Sequence, residues 1–138
     1  MNKSINILIG KPGLDGHDRG AKIVARILED EGFNVYFSGI RKTPLEIALL
    51  AKDENVDLIG LSILSGAHME LVPEVIACLQ SLGLEHIPII LGGIIPPQDR
   101  SNLLEMGVAA IFNPGSRSTE IVTRIREILN NKTQQNIN

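Results

Sequence analysis

The segment from Lys11 to Gly20 holds the residues of this chain whose types and spacing could carry out chemistry. It places an amine at Lys11, a carboxylate at Asp15 and an imidazole at His17, among glycines that let the backbone approach a bulky group. An imidazole can bind a metal through one ring nitrogen while a carboxylate holds the other nitrogen and tunes its basicity. A neighbouring lysine would keep that carboxylate ionised. The spacing therefore favours His17 as a metal ligand, backed by Asp15 and Lys11.

A metal site formed by this protein alone is not expected. Such sites usually need three or four ligands, and His68 and His86 lie in other segments with no partner at ligand spacing. We interpret His68 and His86 as structural or exposed. A metal that arrives with four equatorial nitrogens already bound needs only one more from the protein, and His17 suits that role.

Length, composition and charge place limits on the class of protein. The chain has 138 residues, 43% of them hydrophobic, and a formal net charge of −3, which is consistent with one globular domain and gives no basic block for nucleic acid. The single cysteine, Cys78, cannot form an internal disulfide and favours a reducing compartment. No signal core and no apolar run of about 18 residues is present in the sequence. We expect a cytoplasmic domain over residues 1–130 and a polar tail over residues 131–138, with neither nucleic acid nor membrane as a partner.

Strand and helix patterns alternate along the chain, and these elements must position Lys11, Asp15 and His17. Apolar runs predict strands at Asn6–Lys11, Phe33–Ser38, Asp57–Ile63, Pro88–Gly93 and Val108–Asn113. Helical periodicity and end signals predict helices at Arg19–Glu31, Pro44–Glu54, Glu70–Ser81, Pro97–Met106 and Ser118–Leu129. This alternation predicts an α/β fold with a doubly wound, five-stranded parallel sheet, flavodoxin-like (Rossmann-like) in the strand order 2-1-3-4-5. Asn130–Asn138 is polar, and we expect it to fray.

Four loops that follow predicted strands carry the candidate site. In an open parallel sheet such loops meet at one edge, where ligands bind. The loops are Asp15–Gly20, Ser62–Gly66, Gly92–Gly93 and Pro114–Ser116. Small residues at three of the four would leave a slot at this edge instead of a packed rim.

Two other ligand classes of flavodoxin-like folds are disfavoured by the same residues. A phosphoreceiver domain needs an aspartate at the end of the third strand and a lysine at the end of the fifth, where this chain has Ser62 and Asn113. A flavin mononucleotide site needs a hydroxyl-rich phosphate loop, but Lys11–Gly20 contains neither serine nor threonine. Aromatic residues make up only 3% of the chain and offer little to stack on a flavin.

Three short motifs at these strand ends carry a resemblance to a known family. They are Asp15-x-His17-x-x-Gly20, Ser62-x-Leu64 and Gly92-Gly93. In this order they resemble the three-part motif of cobalamin-binding domains that bind the cofactor base-off and histidine-on. Most of the chain, from Asn6 to Leu129, is similar to the cobalamin-binding part of the methylmalonyl-CoA mutase family. The flanking segments Thr43-Pro44, Leu71-Val72-Pro73-Glu74 and Ile94–Asp99 agree with that resemblance.

The resemblance implies a role for each matched position. His17 would be the lower axial ligand of the cobalt of adenosylcobalamin, with Asp15 as its hydrogen-bond partner and Lys11 beyond it. Ser62 would hydrogen-bond the displaced base of the nucleotide tail, Leu64 would pack on that base, and Gly92 and Gly93 would leave it room. The remaining cofactor-binding residues would be Gly16, Asp18, Arg19, Gly20, Ser65, Gly115 and Ser116. Asp18 and Arg19 also suit the start of a helix, and Arg19 could face a partner chain.

The resemblance also implies an activity, that of a radical isomerase of acyl-CoA thioesters. In such mutases the substrate lies in a (β/α)₈ barrel of about 250 residues, for which this sequence has no room. We therefore expect a cobalamin-binding small subunit, inactive by itself, that partners a barrel-type large subunit, with a GTPase chaperone of the mutase as a further candidate partner. Methylmalonyl-CoA is the preferred substrate. The alternatives are the small subunit of 2-hydroxyisobutyryl-CoA mutase or a non-catalytic corrinoid carrier or sensor.

Overall fold

A computed structural model describes residues 4–137 of the chain, with side chains described over residues 4–131. Strands and helices alternate along this part of the chain. The strands are β1 (Asn6–Gly10), β2 (Asn34–Phe37), β3 (Leu58–Ser62), β4 (Ile89–Gly92) and β5 (Ala110–Phe112). The helices are α1 (Arg19–Asp30), α2 (Pro44–Asp53), α3 (His68–Ser81), α4 (Pro97–Glu105) and α5 (Ser118–Ile137).

The strands form one parallel sheet in the order β2-β1-β3-β4-β5, which confirms the predicted topology. Gly10 pairs with Leu61, Ser62 with Gly92, and Gly92 with Phe112. The carboxyl ends of four neighbouring strands are therefore level with one another. The loops that follow them emerge side by side at one edge of the sheet.

The two faces of the sheet bury separate hydrophobic cores, because side chains alternate between faces along each strand. One core packs the sheet against α1 and α5; it includes Ile7, Ile9, Leu28, Ile90 and Ile125. The other core packs the sheet against α2, α3 and α4; it includes Leu8, Ile47, Leu61, Val72, Leu91 and Leu103. The apolar character of the central strands on both faces follows from this burial.

Local sequence signals set the helix ends that frame the site. The Thr43 hydroxyl accepts a hydrogen bond from the Glu46 backbone N–H at 3.1 Å, and the Glu46 carboxylate accepts one from the Thr43 N–H at 2.9 Å. This capping box, with Pro44 at the first helical position, confirms the predicted start of α2. It also fixes where the loop after β2 ends.

Two helix boundaries differ from the prediction by two residues or more, whereas the ends of α1, α2 and α4 each differ by one residue. Helix α3 begins at His68, two residues before the predicted Glu70. Helix α5 continues to Ile137, so the predicted end at Leu129 is wrong, and the expected frayed tail from residue 130 is helical as far as residue 137. No glycine or proline interrupts residues 130–137, and extending an existing helix requires no new nucleation. Despite the 20 residues of α5, none of the helices within residues 4–137 is long and apolar enough to cross a bilayer.

Candidate functional site

The loop between β1 and α1 places His17 at the surface with Asp15 beneath it. The His17 side chain is 86% exposed, whereas the Asp15 side chain is 3% exposed. Oδ1 of Asp15 accepts the His17 backbone N–H at 2.9 Å and lies 2.7 Å from Nδ1 of the imidazole. The carboxylate therefore engages Nδ1 and leaves Nε2 available to a ligand from solvent.

The other carboxylate oxygen of Asp15 lies in a buried polar network. Lys11 is fully buried, and its Nζ donates to Oδ2 of Asp15 at 3.1 Å and to the Ser62 carbonyl oxygen at 3.1 Å. Nζ also lies 3.5 Å from the Ser62 hydroxyl, and the Leu64 backbone N–H donates to Oδ2 of Asp15 at 3.2 Å. Two strand-end loops, after β1 and after β3, are thereby joined through one ion pair.

This network determines the charge state of Asp15. Burial by itself raises the pKa of the Asp15 carboxyl, because a low-polarity environment penalises the charged form. The hydrogen bonds from the His17 backbone and side chain, followed by the hydrogen bond and charge of Lys11, outweigh burial and hold that pKa well below its ordinary value. Asp15 is therefore a carboxylate at neutral pH and can hold the imidazole in one orientation.

A cavity of about 400 Å³ opens next to Ser62, between the sheet and helices α1 and α5. We call it the α1–α5 cavity. Its lining includes the sequence-predicted residues Gly20, Ser62, Leu64, Gly92, Gly93, Gly115 and Ser116. Apolar side chains form much of the rest, among them Ile9, Ile23, Val24, Ile27, Phe112 and Ile121. Its volume lies in the range of about 300–1,000 Å³ that is typical of small-molecule sites.

The sequence analysis did not assign these apolar side chains to a cavity, although the helical spacing of those on α1 was visible in the sequence. Ile23 and Ile27 are one helical turn apart on α1, so they share the face that turns towards the sheet. Ile23 nevertheless remains 51% exposed, because the cavity separates this part of α1 from full contact with the sheet. The periodicity alone indicated a packed core here.

The two glycines at the end of β4 are glycines for different reasons. A Cβ on Gly93 would collide with the backbone carbonyl oxygen of Ile63, so the packing of adjacent backbones requires glycine there. A Cβ on Gly92 would meet nothing closer than the Leu61 carbonyl oxygen at 3.9 Å. Since Gly92 also lines the α1–α5 cavity, its missing side chain contributes open volume to that cavity.

Asp18, Arg19 and Ser65 belong to the site loops but, like Asp15, Gly16 and His17, they do not line the cavity. Asp18 forms an ion pair with Lys22 at 3.1 Å, and Arg19 is the exposed first residue of α1. The Ser65 hydroxyl accepts the Ala67 backbone N–H at 3.3 Å, within the turn that precedes α3. Asp18 and Ser65 thus make local contacts, and the cofactor contact expected of all three residues stays a prediction.

A fifth loop, after β2, reaches the same edge and was not among the four considered from the sequence. Its backbone pairs with the loop after β1: the Gly13 N–H donates to the Lys42 carbonyl at 2.8 Å, and the Lys42 N–H donates to the Lys11 carbonyl at 3.3 Å. The Ser38 hydroxyl accepts the Lys11 N–H at 3.0 Å. The parallel topology itself was the available signal, since every strand ends at this edge.

The chemistry that this arrangement allows is specific. Within the described part of the chain, no group of three or more His, Cys, Asp or Glu side chains could together hold a metal ion. One exposed imidazole with a fixed Nδ1 can instead offer a single nitrogen to a metal that carries its other ligands. The adjacent apolar cavity can take a flat, largely apolar group attached to the same molecule. These residues therefore fit a corrinoid with a detached nucleotide tail.

Comparison with known proteins supports a corrinoid as the class of ligand. The model of the B12 binding domain family matches residues 5–123. This chain belongs to that family. Among curated relatives of this B12-binding domain, methylmalonyl-CoA mutase of Escherichia coli (strain K12) is 47% identical over 124 residues, which cover 90% of the chain. Ethylmalonyl-CoA mutase of Methylorubrum extorquens is 46% identical over 83% of the chain, and human mitochondrial methylmalonyl-CoA mutase is 42% identical over 93%. The alignments cover only 17% to 18% of the length of these mutases.

Solved structures place the B12-binding domain among flavodoxin-like folds. A cobalamin-binding protein from Desulfitobacterium hafniense superposes with a TM-score of 0.77 at 21% identity, covering 91% of this chain and 59% of that one. A CheY-like receiver domain from Methanospirillum hungatei superposes with a TM-score of 0.73 at 19% identity, covering 96% and 99%. At these identities the likeness concerns the fold alone.

Proposed function

We propose that this domain binds cobalamin in the base-off, histidine-on form, with Nε2 of His17 as the lower axial ligand of cobalt. The observation that carries the proposal is the pairing of an exposed imidazole with a buried carboxylate through Nδ1. A neutral imidazole held in this way donates its Nδ1 proton to Asp15 and presents the Nε2 lone pair outward. The buried ammonium of Lys11 keeps Asp15 charged, which raises the basicity of the ligand nitrogen.

The α1–α5 cavity is the proposed site of the displaced nucleotide tail. Ser62 lines it close to Lys11 and offers a hydroxyl to the ring nitrogen of the base. Leu64 and the apolar side chains of α1 would contact the faces of that base. Gly20, Gly92 and Gly115 leave open volume, since a Cβ at Gly20 or Gly115 would meet nothing within 4 Å.

The proposed activity is that of the cofactor-binding part of an adenosylcobalamin-dependent acyl-CoA mutase, with methylmalonyl-CoA as the preferred substrate. Its support is the identity of 42% to 47% to the corresponding part of mutases named for methylmalonyl-CoA and ethylmalonyl-CoA. The bound cofactor supplies a radical when its cobalt–carbon bond breaks. The domain itself holds the axial nitrogen, orients it and shields the tail from water. The acyl-CoA would bind to a (β/α)₈ barrel on a separate large subunit, with a GTPase chaperone as a further candidate partner.

Electron paramagnetic resonance of bound cob(II)alamin tests the axial ligand directly. Unlabelled protein should give a triplet superhyperfine pattern from one axial ¹⁴N. Protein labelled uniformly with ¹⁵N should give a doublet, because the coupled nitrogen then comes from the protein and not from the cofactor base. A triplet that persists in the labelled protein would show that the base still binds cobalt and would overturn the proposal.

Matched histidine variants supply the control. His17→Ala should lose the protein-derived coupling, whereas His86→Ala, which alters an exposed histidine outside the site loops, should keep it. Equal spectra for the two variants would contradict the assignment of His17.

Reconstitution tests the activity. The purified chain and candidate barrel subunits, each inactive alone, should together isomerise methylmalonyl-CoA when adenosylcobalamin is added. Isomerisation of ethylmalonyl-CoA or 2-hydroxyisobutyryl-CoA instead would change the substrate and keep the mutase class. Tight cobalamin binding without isomerisation in any pairing would replace the mutase proposal with a carrier or sensor.

A further inference from the structure

Arg41, in the loop after β2, has a backbone conformation that arginine rarely adopts. Its φ is +57°, in the left-handed region that glycine and asparagine tolerate best. Among described residues other than glycine, only Asn55 shares a positive φ. Such conformations persist when the surrounding structure determines them, and they concentrate at ligand-binding sites.

The surroundings of Arg41 are fixed by the loop after β1. The next residue, Lys42, exchanges backbone hydrogen bonds with Lys11 and Gly13, and these bonds hold the two loops side by side. On the other side, Gly39 also has a positive φ, of 86°. The backbone of Arg41 is therefore held in place next to the segment that carries His17.

The guanidinium of Arg41 lies against Gly16, the residue between Asp15 and His17. A Cβ on Gly16 would lie 3.0 Å from Nη2 of Arg41, so the glycine leaves room for the guanidinium. Arg41 is exposed, and within residues 4–131 its side chain makes no hydrogen bond or ion pair. A group with five N–H donors thus stands unpaired beside the proposed axial ligand.

We propose that Arg41 binds the carbonyl oxygen of an amide side chain on the lower face of the corrin. This inference rests on the proposed function, because it takes the corrin to be bound above His17. A guanidinium only donates hydrogen bonds, so its partner must be an acceptor. The corrin of cobalamin carries amide side chains around its rim, and those on its lower face project towards the protein that supplies the axial nitrogen.

The role is one of recognition and not of folding. In the described structure the guanidinium forms no hydrogen bond or ion pair with another side chain, and it lies against Gly16 at the rim of the site. Arg41 therefore adds affinity for the ring itself, independent of the nucleotide tail in the α1–α5 cavity. Neither the three-part motif nor the cavity includes this residue.

Equilibrium titration with cob(II)alamin, followed by its visible spectrum, tests the inference. The variants are Arg41→Gln, which removes the charge, and Arg41→Gly, which also relieves the backbone strain. The control is Lys52→Gln, which removes one exposed positive charge from the last turn of α2. Both Arg41 variants should bind about tenfold more weakly than wild type, as expected for one lost hydrogen bond to a charged donor, while the control binds like wild type.

A second probe identifies the acceptor. The probes are cobalamin derivatives in which one lower-face propionamide is hydrolysed to a carboxylate. The loss of affinity on going from cobalamin to such a derivative should be smaller for wild type than for Arg41→Gln. Binding of both Arg41 variants within about twofold of Lys52→Gln would overturn the role of Arg41. If the Arg41 variants bind like the control and wild type still binds cobalamin in the base-off, histidine-on form, the proposed function stands. Failure of wild type to bind in that form would overturn the proposed function itself.

Arg41→Gly keeps the test independent of folding. It should melt at or above the temperature of wild type, because glycine adopts a positive φ without strain. Weak binding by this well-folded variant would support the proposal. Wild-type affinity in this variant would overturn it.

Discussion

Oδ1 of Asp15 lies 2.7 Å from Nδ1 of His17, while Oδ2 of the same carboxylate lies 3.1 Å from the buried Nζ of Lys11. One buried carboxylate therefore links an exposed ring to a fully buried ammonium. This relationship joins stability to ligand binding, because a change at Asp15 alters both the environment of Lys11 and the orientation of His17.

Substitution of Asp15 should destabilise the fold as well as the site. In Asp15→Asn the Lys11 ammonium remains buried without its counter-charge, and we expect the free energy of unfolding to fall by about 3 kcal/mol. Urea denaturation measures the change. The control is Asp18→Asn, which breaks a partly exposed ion pair with Lys22 and should lower stability by less than about 1 kcal/mol. Equal losses in the two variants would contradict a buried ion pair at Lys11.

Acid should remove the contribution of Asp15 to the free energy of unfolding. The pKa of this carboxyl is lower in the folded than in the unfolded protein, so folding releases protons in the acid range and stability there rises with pH. The contribution is complete above the ordinary carboxyl pKa of about 4 and is lost as the pH falls towards the lower folded-state pKa. Urea midpoints measured from about pH 6 to about pH 2.5 should show the gap between wild type and Asp15→Asn closing with acid. A difference in urea midpoint that does not change with pH would contradict a lowered pKa for Asp15.

The two glycines after β4 should separate stability from binding. Gly93→Ala places a Cβ against the Ile63 carbonyl and should lower the free energy of unfolding by about 2–3 kcal/mol. Gly92→Ala has room for its Cβ, so it should change stability by about 1 kcal/mol or less and weaken cobalamin binding by occupying the cavity. Thermal melts and cobalamin titrations of both variants provide the comparison. Similar melting temperatures for the two would contradict the packing described for Gly93.

The buried His68 of α3 and the partly exposed Asp99 of α4 form a pair that should lose more stability when Asp99 alone is removed than when both side chains are replaced. Nε2 of His68 lies 2.8 Å from Oδ2 of Asp99, and Nδ1 of this buried ring has no partner within the described residues. Asp99→Ala leaves the imidazole without any partner and should lower the free energy of unfolding by about 1–3 kcal/mol. In the double variant His68→Leu/Asp99→Ala the polar ring is gone, and part of that loss should be recovered in urea denaturation. A double variant less stable than Asp99→Ala alone would argue against an unsatisfied ring as the cause.

Local signals predicted much of the fold because each acts over a few residues. Thr43 and Pro44 mark the start of α2 by capping, and glycines with positive φ at 32, 83 and 107 follow α1, α3 and α4, as the sequence pattern indicated. The end of α5 was mispredicted because polar residues carry no core-facing periodicity and yet continue a helix. Without a glycine or proline, the end of a helix depends on small energetic contributions from many residues, which no short sequence signal reveals.

The sequence by itself determined the alternation of strands and helices, the strand order and the identity of the loops that hold Asp15, His17 and Ser62. These follow from periodicity, turn residues and motif spacing, which are local properties of the chain. Only the tertiary structure decided that Lys11 is buried between Asp15 and Ser62, that Gly93 is required by the Ile63 carbonyl, and that Arg41 lies beside Gly16. The contacts of Lys11 with Ser62, of Gly93 with Ile63 and of Arg41 with Gly16 join loops that are distant in sequence. Their distances depend on how the sheet brings the strand ends together.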